Sequence, residues 1–268
     1  MFTNQNYLKG QQYKTSSNLN TRASLHERFG VSKYGWHKWV FDQFNFEPGY
    51  RVLEVGCGPA YLWNENMERV PSDVRFVLGD LSIGMASETK TKLAASDAKN
   101  FNFFNGDAES IPFPANYFDA VIANHMLYHL PHLDLGVREL ARVLKPNGVL
   151  YAATNGIPHL REMFELAREF DPNYGSVHHR GFFESLNFRL ENAEEILKAA
   201  FARVEIRNYD DHLWVTEAAP LVNYVLSGWR DQVREGMIES FISFVEERIK
   251  REGGVRITKE SGLVIARK

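Results

Sequence analysis

A glycine turn directly after an apolar strand constrains this chain more than any other feature. Residues 51–61 read Arg-Val-Leu-Glu-Val-Gly-Cys-Gly-Pro-Ala-Tyr, so an apolar run carries an acidic residue, Glu54, and continues into Gly56 and Gly58. Glycine permits positive φ angles and a close approach of backbone to a ligand. A dinucleotide site would need a third glycine where Tyr61 stands, because a tyrosine would crowd the pyrophosphate. The turn therefore favours another nucleoside cofactor, and Glu54 suits one that carries an ammonium or sulfonium group.

A second acidic residue follows the next predicted strand. Residues 74–79 are mostly apolar and end at Asp80, which lies 22 residues after Gly58. An acidic side chain about 20 residues beyond the glycine turn, at the tip of the neighbouring strand, accepts hydrogen bonds from a ribose diol. Ser82 is a suitable N-cap for the helix that follows. The spacing predicts that Asp80 binds a free ribose.

Strand and helix patterns alternate along most of the chain. Further apolar runs predict strands at 101–104, 118–123, 149–154, 204–209 and 255–266. Because these runs are continuous and separated by helical patterns, we expect an α/β fold with a parallel sheet buried on both faces.

Three local patterns refine this prediction. The spacing of Val137, Leu140, Ala141 and Leu144 is typical of one apolar helix face. Asn192 and Glu195 predict a start like a capping box. In the last strand, residues 260–262 read Glu-Ser-Gly and are expected to break or bend it.

These segments together resemble the class I S-adenosylmethionine-dependent methyltransferases, in particular the type 11, small-molecule kind. The first motif of that family, [DE]-x-G-x-G-x-[GA], is filled by Glu54, Gly56, Gly58 and Ala60, and residues 80–85 match the run D-L/I-S-x-x-M. The resemblance implies a doubly wound, mostly parallel seven-stranded sheet, the Rossmann-like methyltransferase fold, with a last strand that is antiparallel and with helical substrate-covering insertions. It implies S-adenosyl-L-methionine as cofactor and S-adenosyl-L-homocysteine as product.

The resemblance also assigns cofactor-binding residues. It places Leu81 on the adenine, Asp107 on the adenine amino group and the Ala108 backbone amide on a ring nitrogen. Arg22 is a candidate for the methionine carboxylate and the Tyr13 ring for the sulfonium, since cations are attracted to aromatic faces. Cys57 is more typical of a small packing residue than of a nucleophile. The full set of cofactor candidates is Tyr13, Arg22, Glu54, Gly56, Cys57, Gly58, Asp80, Leu81, Asp107, Ala108 and Asn124.

The segment after the fourth strand faces the transferred methyl group in that family. Here it reads Asn-His-Met-Leu-Tyr-His from Asn124, so His125, Tyr128 and His129 are the catalytic candidates. Either histidine is suitable as a general base because an imidazole titrates near neutrality. The alternative is that these histidines only pack against a helix. The run lacks the N/D-P-P-Y/F sequence typical of enzymes that methylate DNA bases or glutamine amides.

Three segments outside the core are expected to cover the substrate. The predicted divisions are a helical lid at 1–45, the cofactor-binding core at 46–155, an insertion at 156–190, a core continuation at 191–211, a helical insertion at 212–252 and a final core strand at 253–268. The His178–His179 pair in the second segment suggests a base or ligand, or simply a polar loop. Four aromatic residues of the lid segment are predicted mainly to pack on the sheet, namely Trp36, Trp39, Phe41 and Phe44.

Composition narrows the class of acceptor. With 44% hydrophobic residues the 268-residue chain can bury a large core, and its net charge of −3 gives no attraction to nucleic acid or an anionic membrane. The single cysteine and the absence of a leader pattern at the first residues favour the cytoplasm. The sequence shows neither the spacing of metal ligands nor an apolar run long enough to span a membrane.

We expect a monomer or homodimer that methylates nitrogen or oxygen of a small metabolite. A peptide or tRNA acceptor, or a catalytically silent cofactor-binding protein, is the alternative.

Overall fold

The computed structural model describes residues 3–5, 10, 17–94, 100–172, 183–227 and 236–268. The strands are β1 (Arg51–Val55), β2 (Arg75–Asp80), β3 (Phe101–Asn105), β4 (Phe118–Asn124), β5 (Leu144–Asn155), β6 (Arg203–Val215) and β7 (Val255–Arg267). The helices are α1 (Ser17–Phe29), α2 (Trp36–Asp42), α3 (Tyr61–Asn64), α4 (Ile83–Ala94), α5 (Leu133–Val143), α6 (Arg161–Phe170), α7 (Leu190–Lys198), α8 (Ala218–Ser227) and α9 (Met237–Glu252).

All seven strands form one sheet in the order β3-β2-β1-β4-β5-β7-β6. Strands β1 to β5 pair in parallel, whereas β7 is antiparallel to both β5 and β6. From β1 the strand order runs to one edge of the sheet through β2 and β3, and from β4 it runs to the other edge. The carboxyl ends of β1 and β4 therefore flank the crevice where ligands bind in open α/β sheets. The predicted fold class, a doubly wound and mostly parallel seven-stranded sheet, is confirmed.

The last two strands are longer than predicted and form a continuous ladder. Strand β7 is unbroken from Val255 to Arg267, so the predicted break at residues 260–262 is wrong. Gly262 stands opposite Asn208 in β6 and Thr154 in β5. A Cβ at Gly262 would lie 2.8 Å from the Arg207 carbonyl oxygen. This glycine therefore serves close packing between strands, not a bend.

Helix α7 begins earlier than the predicted capping box. Its N-cap is Arg189, and Asn192 occupies the third helical position. The Arg189 backbone N–H donates to the Asn192 side-chain oxygen at 2.8 Å. Asn192 thus caps the helix from inside its first turn, and the start predicted at Asn192 is wrong by one turn.

The buried residues divide into three clusters. One lies on the face of the sheet covered by α5 and α7, and another lies on the face covered by α2, α3 and α4. Phe41 is buried in the latter cluster, and Trp36, Trp39 and Phe44 pack against it, as predicted. The third cluster joins α1, α6, α8 and α9 to the far ends of β6 and β7. We call this third cluster the cover core.

Candidate cofactor and acceptor site

The glycine turn opens a space at the carboxyl end of β1. Gly56 and Gly58 have φ angles of +69° and +52°. A Cβ at Gly56 would lie 2.8 Å from the Met126 Cβ, so this glycine admits the Met126 side chain. A Cβ at Gly58 would meet no heavy atom of the described chain within 4 Å. Gly58 therefore borders open space into which a ligand can bring its own atoms close to the backbone.

Glu54 is a buried acid beneath this turn. Its side chain is 3% exposed, and the Trp63 indole Nε1 donates to its Oε2 at 2.5 Å. Burial raises the pKa of Glu54 to about 7; the Trp63 hydrogen bond opposes this shift, and the nearby Asp80 carboxylate adds to it. A cation placed near Glu54 would compensate the buried charge, as the sequence suggested.

Asp80 lies at the tip of β2 beside the glycine turn. Its two carboxylate oxygens accept hydrogen bonds from the backbone N–H of Gly58 at 3.0 Å and of Ser82 at 2.8 Å. Burial raises the pKa of Asp80, although both hydrogen bonds oppose the shift. Each carboxylate oxygen keeps a second lone pair. The carboxylate is thus oriented by the backbone and able to accept a pair of hydroxyl groups.

The predicted adenine residues lie at the neighbouring strand end. The Asp107 carboxylate accepts the Glu109 backbone N–H at 2.9 Å and the Gln5 side-chain amide at 2.7 Å. Ala108 is buried and Leu81 is half-buried. The Gln5 amide shows that Asp107 can accept from an N–H₂ group, which is also the group that adenine would offer.

Strand β4 ends at Asn124 and His125 in an unusual backbone conformation. His125 has a φ of +52°, and its N–H donates to the Ala153 carbonyl at 2.9 Å. Positive φ in a residue other than glycine is costly and is frequently found at functional sites. The Asn124 Oδ1 is buried and has no hydrogen-bond partner in the described chain. The end of β4 therefore offers an unused acceptor to the crevice.

The remaining catalytic candidates follow on a single turn of 3-10 helix, Leu127–His129. The Tyr128 and His129 rings meet edge to face, with centroids 4.6 Å apart. Tyr128 also packs against the cover core, whereas the His125 ring lies 5.2 Å from the Trp36 ring. The three candidates thus lie between the crevice and the covering helices.

Two further histidines that the sequence analysis did not select lie near His125. His26, on α1, stacks on His159 with ring centroids 6.2 Å apart. Burial is the main cause of low pKa values at all three: about 3 for His26, about 4 for His125 and well below the ordinary value for His159. His125 contributes to the low pKa values of both other histidines. No local pattern marks His26 or His159, since only the packing of α1 against β6 and the turn that precedes α6 brings them together.

Several acidic residues that could otherwise receive a cationic peptide already have partners within the chain. Asp211 pairs with Lys259 at 2.5 Å, and both side chains are buried. Glu162 accepts the backbone N–H and hydroxyl of Thr258, and Glu217 pairs with Arg28. These contacts reduce the support for a cationic peptide.

Residues of the predicted lid segment, 1–45, are only partly described. Arg22 lies with its guanidinium 6.0 Å from the centre of the half-buried Tyr224 ring. Asn20 accepts a hydrogen bond from the Tyr61 hydroxyl, so α1 contacts the residue that follows the glycine turn. Tyr13 and the His178–His179 pair lie outside the described residues.

Cys57, between the two glycines, is 8% exposed. Burial and the neighbouring carboxylates of Glu54 and Asp80 raise the pKa of its thiol well above the ordinary value. The thiol therefore stays protonated and acts as a packing group.

The crevice residues fit S-adenosyl-L-methionine. The open space at Gly58, the oriented Asp80 carboxylate, the amide-accepting Asp107 and the unused Asn124 oxygen lie at adjoining strand ends of one edge. Among the described residues, no group of three or more histidine, cysteine or acidic side chains could hold a metal ion. Within the same ranges, no helix has the length and apolar character needed to cross a bilayer.

Comparison with known sequences agrees with this geometry. A family described as "Methyltransferase domain" matches residues 53–152. The ubiquinone/menaquinone biosynthesis C-methyltransferase of Ectopseudomonas mendocina is 30% identical over 189 residues, which cover 65% of this chain and 73% of that protein. The enzyme of the same name from Vibrio cholerae is 30% identical over 132 residues, 49% of this chain and 51% of the relative. The chain thus spans about half the length of that relative.

A solved structure shows the same fold at low identity. Phosphoethanolamine N-methyltransferase 2 of Haemonchus contortus, in complex with S-adenosyl-L-methionine, aligns with a TM-score of 0.61 and 18% identity. The alignment covers 100% of this chain and 60% of that one. At this identity the likeness concerns the architecture of the chain alone.

Proposed function

Because this chain belongs to the class I S-adenosylmethionine-dependent methyltransferases, we propose that it transfers the methyl group of S-adenosyl-L-methionine to a nitrogen or oxygen atom of a small molecule. The observation that carries the proposal is the oriented Asp80 carboxylate beside the open glycine turn. The acceptor would enter from the side of α1 and the cover core. We assign the cover to the segments 1–45, 156–190 and 212–252.

The bound cofactor supplies a methyl group already activated by a sulfonium. In our proposal Asp80 holds the ribose hydroxyls, Asp107 and Ala108 hold the adenine, and Glu54 offsets the positive charge. The protein then has to align the acceptor atom with the methyl group and exclude water from the site. The covering helices would provide that exclusion.

His125 is a weak base in this environment. A pKa of about 4 means that its imidazole is neutral at pH 7, which lets it accept a hydrogen bond from the acceptor. The same pKa makes His125 a weak general base. It would take a proton only from an acceptor group that methyl transfer has made acidic. We therefore assign His125 mainly to orienting the acceptor, with His129 and Tyr128 beside it.

A second candidate function is methyl transfer to carbon. It is favoured by the names of the sequence relatives, which are C-methyltransferases of quinone biosynthesis. The acceptor would then be an electron-rich carbon. The new C–C bond would form as the S–CH₃ bond breaks, and the proton on that carbon would leave afterwards to water or a neutral imidazole.

The first test is calorimetric binding of S-adenosyl-L-homocysteine to the wild type and to Asp80→Ala. We expect at least about a 100-fold loss of affinity in the variant, since two charge-assisted hydrogen bonds are worth about 1.5–3 kcal/mol each. Asp80→Asn should lose less. Asp134→Ala, an exposed acid on α5, is the matched control and should bind as the wild type does.

A labelled-methyl screen against metabolite, peptide and tRNA pools would follow. Binding without transfer to any pool would favour a catalytically silent cofactor-binding protein. If the wild type does not bind S-adenosyl-L-homocysteine, or if Asp80→Ala binds it as tightly as the wild type, the proposed site is wrong.

A further inference from the structure

His26 has an unused polar atom inside the protein. It lies on α1, and its Nδ1 is buried with no hydrogen-bond partner in the described chain. Most buried polar atoms in proteins are hydrogen-bonded, and an orphan costs about 1–3 kcal/mol. If His26 served only to pack α1, an apolar residue could fill the same space without that cost. The orphan atom therefore indicates a partner beyond the described residues, and a bound ligand is one that the site would accommodate.

The groups around His26 form a polar cluster without a net charge. His159 stacks on it, His125 and Lys259 lie near enough to lower its pKa, and Asp211 raises it. Lys259 and Asp211 neutralise each other as a buried ion pair. His159 Nδ1 already accepts the Glu260 backbone N–H at 3.1 Å. Of these groups, His26 is the one with an orphan ring nitrogen.

Aromatic rings flank this cluster. The Tyr224 ring meets His26 edge to face at 5.9 Å, and the Phe183 ring meets His159 edge to face at 5.0 Å. Trp36 lies 5.2 Å from His125 on the other side. Aromatic rings attract one another in edge-to-face and offset-stacked arrangements. The rings around His26 would therefore favour a planar aromatic partner.

We propose that His26 is an acceptor-binding residue, whose Nδ1 hydrogen-bonds an uncharged hydroxyl group on an aromatic acceptor held between α1 and the end of β4. This inference rests on the proposed methyl transfer and names the acceptor class for the same site. A hydroxyl both donates and accepts, so it matches either tautomer of a neutral imidazole. A carboxylate or ammonium group would have to be buried without a free counter-charge, which is costly.

The low pKa values of the three histidines agree with this choice. All three imidazoles are neutral near pH 7, so the cluster offers no positive charge to an anion. A cationic acceptor would also be repelled by the sulfonium of the cofactor. The proposed site should therefore select an uncharged acceptor.

The test uses three named probes on the complex with S-adenosyl-L-homocysteine. Phenol, benzoate and benzylamine are titrated in turn while the Cε1–H resonances of carbon-13-labelled histidines are followed. We expect phenol to shift the resonances of His26 and His125 saturably. Benzoate and benzylamine should bind at least about tenfold more weakly, which corresponds to about 1.4 kcal/mol.

Variants separate recognition from folding. His26→Phe should weaken phenol binding, followed at His125, by about tenfold, the loss expected for one buried hydrogen bond. Its affinity for S-adenosyl-L-homocysteine should stay within twofold of the wild type, which shows that the core is folded. His26→Gln, which keeps a hydrogen-bonding group, should restore part of the binding. His132→Phe, at an exposed histidine, is the control.

Three results would overturn the inference: phenol that shifts neither His26 nor His125, phenol that binds His26→Phe as well as the wild type, or equal binding of all three probes. Each of these leaves S-adenosyl-L-homocysteine binding intact and so leaves the proposed methyl transfer standing. Loss of cofactor binding in the wild type would instead remove the proposed function itself.

Discussion

At the scale of single residues, Glu54 links the cofactor site to the stability of the protein. It is buried beneath the glycine turn, its partner is the Trp63 indole, and burial raises its pKa to about 7. An acid whose folded-state pKa exceeds its unfolded value near 4.5 stabilises the folded state below pH 4.5. That contribution is lost as the pH rises through 7, because the charged form is then buried.

We predict that Glu54→Gln becomes more stable than the wild type as the pH rises. From pH 5 to pH 8 the difference in the free energy of unfolding should change by about 3 kcal/mol in favour of the variant. Glutamine keeps the acceptor for Trp63, so packing is preserved. Urea unfolding across this range is the measurement, with the exposed Glu247→Gln as control. A difference that does not vary with pH would show that Glu54 has an ordinary pKa.

At the scale of elements, the β6–β7 pair holds together the part of the molecule that we propose to bind the acceptor. Asp211 and Lys259 face each other across the ladder and form an ion pair whose side chains are 1% and 8% exposed. Asp211 also accepts the Ser32 backbone N–H at 2.8 Å, which attaches the connection after α1 to β6. A buried pair of this kind is costly to break from one side only.

We predict that Lys259→Met destabilises the protein by about 3–5 kcal/mol, since it leaves the Asp211 charge buried and unpaired. The double variant Asp211→Asn, Lys259→Met should recover most of that loss. A double-mutant cycle by chemical unfolding, completed with Asp211→Asn, measures the coupling between the two residues. Additive effects of the two substitutions would mean that the pair does not hold the connection in place.

At the scale of the whole molecule, three separate parts of the chain share the cover core. Helix α1 precedes the sheet, α6 follows β5, and α8 and α9 lie between β6 and β7. Phe241, on α9, is 1% exposed and stacks on Phe170 of α6 with ring centroids 4.6 Å apart. The covering helices should therefore open together, not one by one.

We predict that Phe241→Ala costs about 3–5 kcal/mol of stability in the cover core, as large-to-small changes in a packed core do. Hydrogen exchange should speed up together in α1, α6 and α8, while β1 and β4 stay protected. Ile238→Ala, at a residue 37% exposed on the same helix, should change stability by less than about 0.5 kcal/mol. Faster exchange confined to α9 would show that the helices open independently.

The sequence by itself determined the sheet and the cofactor edge. Strand β1, its glycine turn and Asp80 lie within about thirty residues, and parallel strands place their carboxyl ends at one edge whatever the rest of the chain does. The fold class and the family followed from these local patterns. The break in β7 was predicted wrongly because a glycine that permits close packing looks the same in sequence as one that permits a bend.

Only the tertiary structure decided which groups meet on the acceptor side. His26 and His159 are far apart in sequence, and Lys259 meets Asp211 because of the β6–β7 register. No local sequence pattern shows that a histidine or lysine is buried. Its protonation state in the fold depends on the dielectric and the charges that the folded chain places around it. The neutral cluster of histidine and aromatic rings at His26 is therefore a property of the packing of α1 against β6 and the turn that precedes α6.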